Sequence, residues 1–329
     1  MTKSENNKLL INKFNNAGCI VIKIGSALLV DQKSNALRLN WLESVASDVN
    51  KLRVEGKKVV IVSSGSIALG RKILRLTNGS LSLEESQAAA AVGQILLAQS
   101  YQRSLDRYKI ISAQILVTAE DSRNRRRYLN SRATLLKLLE MGVVPIVNEN
   151  DTVATDEIRF GDNDRLAAQV ASMCDANILI LLSDVDGLYT SDPNLHSEAS
   201  HIPIVRTITD EITSMAADKQ SNFSKGGMYT KLEAAKVSIA AGCHMIIADG
   251  SSTEPISAVS SGQKSTWFIS SDTPIDARKQ WIQSTKPRGE VFIDSGAEKA
   301  VMNGKSLLPA GVEKITGRFV RGDTVVIRS

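Results

Sequence analysis

The chain has 329 residues, 43% of them hydrophobic and 23% charged, which suits a large globular domain with a smaller one beside it. A formal net charge of +5 accommodates an anionic ligand such as a nucleotide without demanding nucleic acid, and at 4% aromatic the chain lacks the stacking platforms of a dedicated single-strand binder. No run approaches the length of a membrane span and the polar first 19 residues hold no signal-peptide core, so a cytoplasmic protein without membrane attachment is expected.

In chain order, residues 1–16 read as a polar N-terminal tail or short helix. CIVIKI (19–24) reads as a strand, and 39–56 has the apolar spacing of a helix that stops at Gly56. KVVIVSS (58–64) is the next strand, 84–105 a long Ala-rich helix, 109–117 a strand, and 124–141 a helix closed by Gly142. VVPIV (143–147) is followed by the polar segment NENDTVATDEIRFGDND (148–164), then a helix up to Cys174. NILILLS (177–183) is apolar almost throughout, as a central parallel strand should be. A helix over 231–242 and a strand over 244–248 complete the series. This alternation predicts the α/β class: an open, mostly parallel sheet with helices on both faces. The polar residues 272–286 read as a linker, and the short strands and turns of 287–329 as a small β-rich C-terminal segment. The predicted organisation is therefore a tail (1–16), a main domain (17–271), a linker (272–286) and a small domain (287–329).

Cys19, Cys174 and Cys243 stand far apart in the sequence, each in or beside an apolar run, with no CxxC and no metal-type Cys–His spacing. They read as reduced, buried thiols.

Several segments have the composition of ligand-binding loops. Lys23 lies inside an apolar strand, so its ammonium either meets an anion or snorkels at a sheet edge. Gly25 and Ser26 follow at the strand end, and Ser63, Ser64, Gly65 and Ser66 form a second small polar turn. Two such loops at one sheet edge offer backbone N–H groups to a phosphate or carboxylate, although the P-loop spacing is absent. Ser183 and Asp184 lie just past a strand end, as an Asp–Gly turn or as contacts to a nucleotide. Gly226 and Gly227 precede a helix, where free N–H groups and Lys231 one turn in suit a nucleotide phosphate; the alternative is a flexible glycine lead-in to a capped helix. Residues 148–164 suit a small polar molecule with an amino group and carboxylates, or else a solvated hairpin with 158–160 as a short strand. The arginine-rich run 123–132 reads as a solvated or subunit-contacting helix face rather than a nucleic-acid site.

Taken in order, VIKIGSALL (21–29), VSSGSIALGR (62–71), AVGQ (91–94), VVPIVNENDTVAT (143–155), GDND (161–164), SDVDGLYTSDP (183–193) and GGMYTK (226–231) resemble the amino-acid kinase family. NENDTVAT followed by GDND is similar to the branch that phosphorylates glutamate, and the tail from Pro287 resembles a PUA domain (named for pseudouridine synthases and archaeosine transglycosylases), of which the chain spans roughly half. The resemblance implies transfer of the γ-phosphate of ATP, with Mg²⁺, to the side-chain carboxylate of L-glutamate, a step of proline synthesis. Carried over by motif, Lys23, Ser183, Asp184, Lys225, Gly226, Gly227, Met228, Tyr229, Thr230 and Lys231 would bind ATP. Ser64, Asp151 and Asn163 would bind glutamate. Lys23, Lys231 and Asp164 would be catalytic, with Asp164 holding the two lysines. No residue is assigned to a resident metal. Lys225 departs from the family, which commonly has Thr there. A homo-oligomer (dimer or tetramer) and feedback inhibition by proline are implied by the same resemblance. Rival readings are a kinase of N-acetylglutamate, aspartate, carbamate or a nucleoside monophosphate, and an RNA-binding protein using the C-terminal segment.

Overall fold

Every residue of Cys19–Ile24 and of Ile178–Ser183 is buried, which requires strands covered on both faces. The computed structural model describes residues 3–31, 34, 36–76, 79–153, 163–216, 227–284 and 287–329. The chain begins with α1 (Lys3–Asn15), β1 (Cys19–Ile24), α2 (Ser26–Leu29), α3 (Leu39–Val54), β2 (Lys58–Ser63), α4 (Ser66–Ile73) and α5 (Leu83–Asp106). It continues through β3 (Ser112–Val117), α6 (Ala119–Arg123), α7 (Arg125–Glu140), β4 (Val144–Glu149), α8 (Asn163–Met173) and β5 (Ile178–Ser183). Then follow β6 (Leu188–Tyr189), β7 (His201–Ile202), β8 (Ile204–Val205), α9 (Asp210–Met215), α10 (Met228–Ala240), β9 (His244–Asp249), α11 (Pro255–Ser260) and β10 (Ser265–Phe268). The last elements are α12 (Pro274–Ser284), β11 (Gly289–Ile293), α13 (Ser295–Met302), β12 (Val312–Gly317) and β13 (Val326–Arg328).

The main sheet has the order β3-β4-β2-β1-β5-β9-β10-β8, with β10 antiparallel to β9 and the other pairs parallel. Alternate residues of the central strands feed two cores. Ile20, Ile22, Ile24, Ile180 and Leu182 pack with side chains of α1, α3, α5 and α11. Val21, Leu179 and Leu181 pack with α7, α8 and α10. Each fully buried Ile or Leu contributes roughly 1.5–3 kcal/mol relative to exposure. The expected α/β architecture with helices on both faces is what forms.

The structure departs from the sequence reading at the ends of elements. Of the two readings of residues 1–16, the helix is what forms, as α1, but it is no polar tail, since its Leu10 and Phe14 lie in the core. The polar segment after β4 starts later than read, because Asn148 and Glu149 extend the strand and are buried. Residues 272–286, read as a linker, contain α12, where Pro274 is tolerated at the first helical position and Ala277 is buried. The C-terminal segment is not all strand and turn: α13, capped by the Asp294 carboxylate, accompanies the sheet β12-β11-β13. The short strand read at 158–160 lies outside the described residues.

The arginine run is only partly a solvated face. Arg132 is buried in an ion pair with Asp175. Arg125 donates from Nε to the Gly322 carbonyl at 3.1 Å, so the C-terminal segment sits on α7. Gly322 has φ +105°, and a Cβ there would lie 2.8 Å from Leu129 Cδ1, so this contact needs glycine twice over. The three cysteines, separate in sequence, gather in one core beneath the sheet. The Cys174 thiol is held well above its ordinary value, first by its contact with Cys19 and then by burial.

Candidate functional site

Parallel strands bring their C-terminal ends to one sheet edge, where the ligands of open α/β sheets bind. Lys23 is the fifth residue of β1, in register with Val62 of β2 and Leu181 of β5. It shares the parity of Val21, so its side chain rises on the face covered by α8 and α10. Asp164 lies in the first turn of α8 and is fully buried. Lys231 lies in the first turn of α10 and is also buried. The three meet: Lys23 Nζ is 2.5 Å from Asp164 Oδ1, and Lys231 Nζ is 3.0 Å from Asp164 Oδ2. The sequence alternative of an edge-snorkelling Lys23 is therefore wrong, because β1 is central and the lysine has its anion. Burial pushes the Asp164 carboxyl up, but the ammonium groups of Lys23 and Lys231 outweigh it and hold the carboxyl below its ordinary value. Two positive charges on one negative charge leave the cluster one unit positive, at the end of a strand and the start of two helices. That is an anion-attracting arrangement.

Beside this triad lies a chain of amide and hydroxyl groups. Asn163 Nδ2 donates to the Ser63 carbonyl at 2.6 Å, to Ser64 Oγ at 2.8 Å and to Asn148 Oδ1 at 3.0 Å. Asn148 Nδ2 donates to Gln94 Oε1 at 2.8 Å, and Ser66 Oγ donates to Asp151 Oδ2 at 3.3 Å. Local backbone geometry sets these positions. Gly65 caps α4 with φ +101°, which turns the chain sharply between Ser64 and Ser66. Helices α4 and α5 then pack backbone to backbone: a Cβ on Gly93 would lie 1.8 Å from the Ser66 carbonyl oxygen, and one on Gly70 1.8 Å from that of Ala89. The capping box Ser82–Glu85 starts α5 and so sets where Gln94 falls along it.

The structure thus brings Lys23, Ser64, Asp151, Asn163, Asp164 and Lys231 together. Ser183 and Asp184 end β5 nearby, next to β1 in the sheet, with Ser183 Oγ donating to the exposed Asp184 at 3.0 Å. Gly227 caps α10 without a side-chain cap, and Met228, half-buried Thr230 and exposed Tyr229 form its first turn. Lys225 and Gly226 lie outside the described residues, as do residues 154–162. Asp186, two residues after Asp184, is engaged by Lys264 at 3.0 Å and by the Tyr189 hydroxyl at 2.8 Å. Gln94 and Asn148 were not assigned a role from sequence. The signal was a lone polar side chain after a glycine in an Ala-rich helix. Among the described residues no group of three or more His, Cys, Asp or Glu side chains is arranged to hold a metal.

The family model described as the amino acid kinase family matches residues 18–249. The chain belongs to the amino acid kinase family. A PUA domain model matches residues 289–329 of this amino acid kinase. It is 58% identical over 311 residues to the glutamate 5-kinase of Dinoroseobacter shibae, covering 94% of this chain and 84% of that one. It is 55% identical over 309 residues to the glutamate 5-kinase of Agrobacterium fabrum, covering 94% and 79%. In fold it is similar to carbamate kinase from Giardia lamblia bound to AMP-PNP, with TM-score 0.57 and 18% identity, over 78% of this chain and 99% of that one. Among the described residues of this amino acid kinase, no helix is long and apolar enough to cross a membrane.

Proposed function

We propose that this chain acts as a glutamate 5-kinase, transferring the γ-phosphate of ATP to the side-chain carboxylate of L-glutamate. The observation that carries the proposal is the buried Lys23–Asp164–Lys231 bridge beside the Ser64–Asn163–Asn148 amide chain. A carboxylate oxygen of glutamate attacks the γ-phosphorus, the bond to the β–γ bridging oxygen breaks, and ADP leaves with that oxygen. The nucleophile is already ionised at neutral pH, so no general base is needed, and positioning and charge stabilisation do most of the work.

In this reading Lys23 and Lys231 neutralise the transferred phosphoryl group, and Asp164 keeps both ammonium groups aimed between donor and acceptor. ATP enters as its Mg²⁺ complex; Mg²⁺ is held mostly by phosphate oxygens and asks for few protein carboxylates. Ser183, Asp184 and the segment Lys225, Gly226, Gly227, Met228, Tyr229, Thr230 and Lys231 belong to the ATP side. Ser64, Asp151 and Asn163 belong to the glutamate side, where the Asp151 carboxylate suits a free ammonium group and would repel a nucleoside phosphate. A cytoplasmic enzyme, with a kinase domain over 17–271 and a PUA-like segment from residue 287, is part of the same proposal, as is proline inhibition. Self-association is supported by the exposed Ile111 just before edge strand β3 and the exposed Ile95 on α5.

The test is ATP-dependent hydroxamate formation, in which hydroxylamine traps the acyl phosphate. Signal with L-glutamate but not with N-acetylglutamate or aspartate is expected. Signal with a different acceptor alone would replace the proposal. Asp151→Ala should raise the KM for glutamate, and an effect on ATP alone would remove Asp151 from the glutamate side. Adding proline to the same assay tests the inhibition, and light scattering tests the oligomer.

A further inference from the structure

We infer that Gln94 is a positioning residue for the acceptor pocket: its side-chain carbonyl helps hold the Asn148 amide in one orientation, and Asn148 in turn helps hold Asn163. The inference rests on the glutamate kinase reading. It begins from the capacity of each amide. The Nδ2 of Asn163 has two hydrogens and lies within 3.0 Å of three protein acceptors: the Ser63 carbonyl, Ser64 Oγ and Asn148 Oδ1. Its donors are spent on the protein. Toward a ligand Asn163 therefore turns its carbonyl oxygen, an acceptor suited to an ammonium group.

Asn148 reinforces that orientation by presenting its own oxygen to Asn163 beside the Ser63 carbonyl and Ser64 Oγ. Asn148 Oδ1 accepts from Asn163 Nδ2 at 3.0 Å and from the Glu149 backbone N–H at 2.9 Å, while its Nδ2 donates to Gln94 Oε1 at 2.8 Å. A flip of the Asn148 amide would set donor against donor twice and acceptor against acceptor once. With Gln94 in place the wrong orientation is excluded from three sides. Without its acceptor, the Asn148 NH₂ group keeps only Ser66 Oγ at 3.5 Å, one of the three penalties on the flip is gone, and the amide is held less firmly. Asn148 is buried, so water is a poor substitute. The close approach of α5 to α4 at Gly93 is what brings Gln94 within reach.

The experiment compares the full-length wild type with Gln94→Met, which keeps the shape and loses the acceptor, and Gln94→Glu, which keeps an acceptor oxygen. Hydroxamate kinetics give the KM for glutamate and for ATP, and thermal unfolding gives Tm. Gln94→Met should raise the glutamate KM by about tenfold, the scale of one buried hydrogen bond, with a modest fall in Tm and the ATP KM close to wild type. Gln94→Glu should restore most of the glutamate affinity. An unchanged glutamate KM in Gln94→Met overturns the inference. So does equal impairment in both variants, or a parallel rise of both KM values, since either marks packing rather than amide orientation. A wild type that forms no hydroxamate from glutamate removes the kinase reading and this inference with it. A wild type that forms it while Gln94→Met keeps its glutamate KM removes the inference alone.

Discussion

Lys23 of the central strand β1 and Lys231 of α10 contact the two oxygens of one carboxylate, that of Asp164, at 2.5 and 3.0 Å. Two buried ammonium groups lean on one shared carboxylate, so further negative charge beside them is favoured. A phosphate group would supply it. Removing Asp164 should therefore harm the empty protein more than the nucleotide-bound one.

Asp164→Asn is expected to lower stability by about 3–5 kcal/mol, the scale for leaving buried charge unpaired. MgATP should then raise its Tm by more than it raises that of the wild type. Thermal unfolding with and without MgATP checks both, and an equal Tm rise in the two proteins would show that the lysines do not face phosphate. Lys23→Ala and Lys231→Ala should each lower kcat by roughly 10²–10³, comparable to the loss of one preorganised transition-state donor.

Gly93→Ala should be damaging although Ala favours helix. Its Cβ would fall 1.8 Å from the Ser66 carbonyl oxygen, so α4 and α5 must separate. Overpacking of this kind costs about 1–3 kcal/mol or more. The movement shifts Ser66 and Gln94 together, so a lower Tm should come with a higher glutamate KM. An unaltered KM would uncouple the helix contact from the pocket.

His244 predicts a pH dependence. Burial, then the neighbouring Lys13 ammonium, pulls its imidazole down to about 4. Nδ1 accepts from the Ser270 backbone N–H at 3.1 Å, and Nε2 lies 3.0 Å from Lys13 Nζ, so protonation would set charge against charge. The unfolded chain takes up this proton near pH 6.5, and the folded one only near 4. The stability from neutral His244 is present above about pH 6.5 and is lost as pH falls through that window. His244→Asn keeps an acceptor for Ser270 and removes the titration. Its Tm should fall less than that of the wild type between pH 6.5 and 4. Asp164, with its lowered carboxyl, acts further down: its contribution is present above the ordinary Asp range and lost only as pH drops through its lower folded value.

The thiols should be inert in the native protein. Cys19, Cys174 and Cys243 are all buried, and burial followed by the proximity of Cys19 holds the Cys243 thiol well up. A thiol reagent at pH 8 should label none of the three until denaturant is added. Rapid labelling of the native chain would contradict the packing of α8 against β1 and of α10 against β9.

The strands and helices of the main domain were legible because their apolar spacing is local. Ile178–Leu182 has no polar residue and can only be a covered strand, and Leu39–Val54 carries helical spacing up to its glycine stop. Lys23 was legible as a lysine in need of an anion, because an unpaired buried ammonium is costly wherever it falls. Helix α12 was not, since its apolar stripe is short and a proline at its first turn looks like a break. Nor was the burial of Asn148 and Glu149, whose polarity reads as loop until Gln94 and Asn163 are seen to satisfy Asn148. Residues 148–164 have the right composition for an acceptor pocket; only the contacts say that Asn163 is spent on Ser63, Ser64 and Asn148.

By itself, the sequence determined the periodicity of each element, the parallel α/β order that follows from strand–helix alternation, and the presence of charged and glycine-rich segments at strand ends. These depend on residues close together in the chain. The tertiary structure alone decided which lysines share Asp164, that Gln94 reaches Asn148, that Arg132 turns inward to Asp175, and that three scattered cysteines meet. Each of these joins residues far apart in sequence. Their pairing is set by strand order and by the close approach of helices at Gly70 and Gly93, for which no local pattern codes.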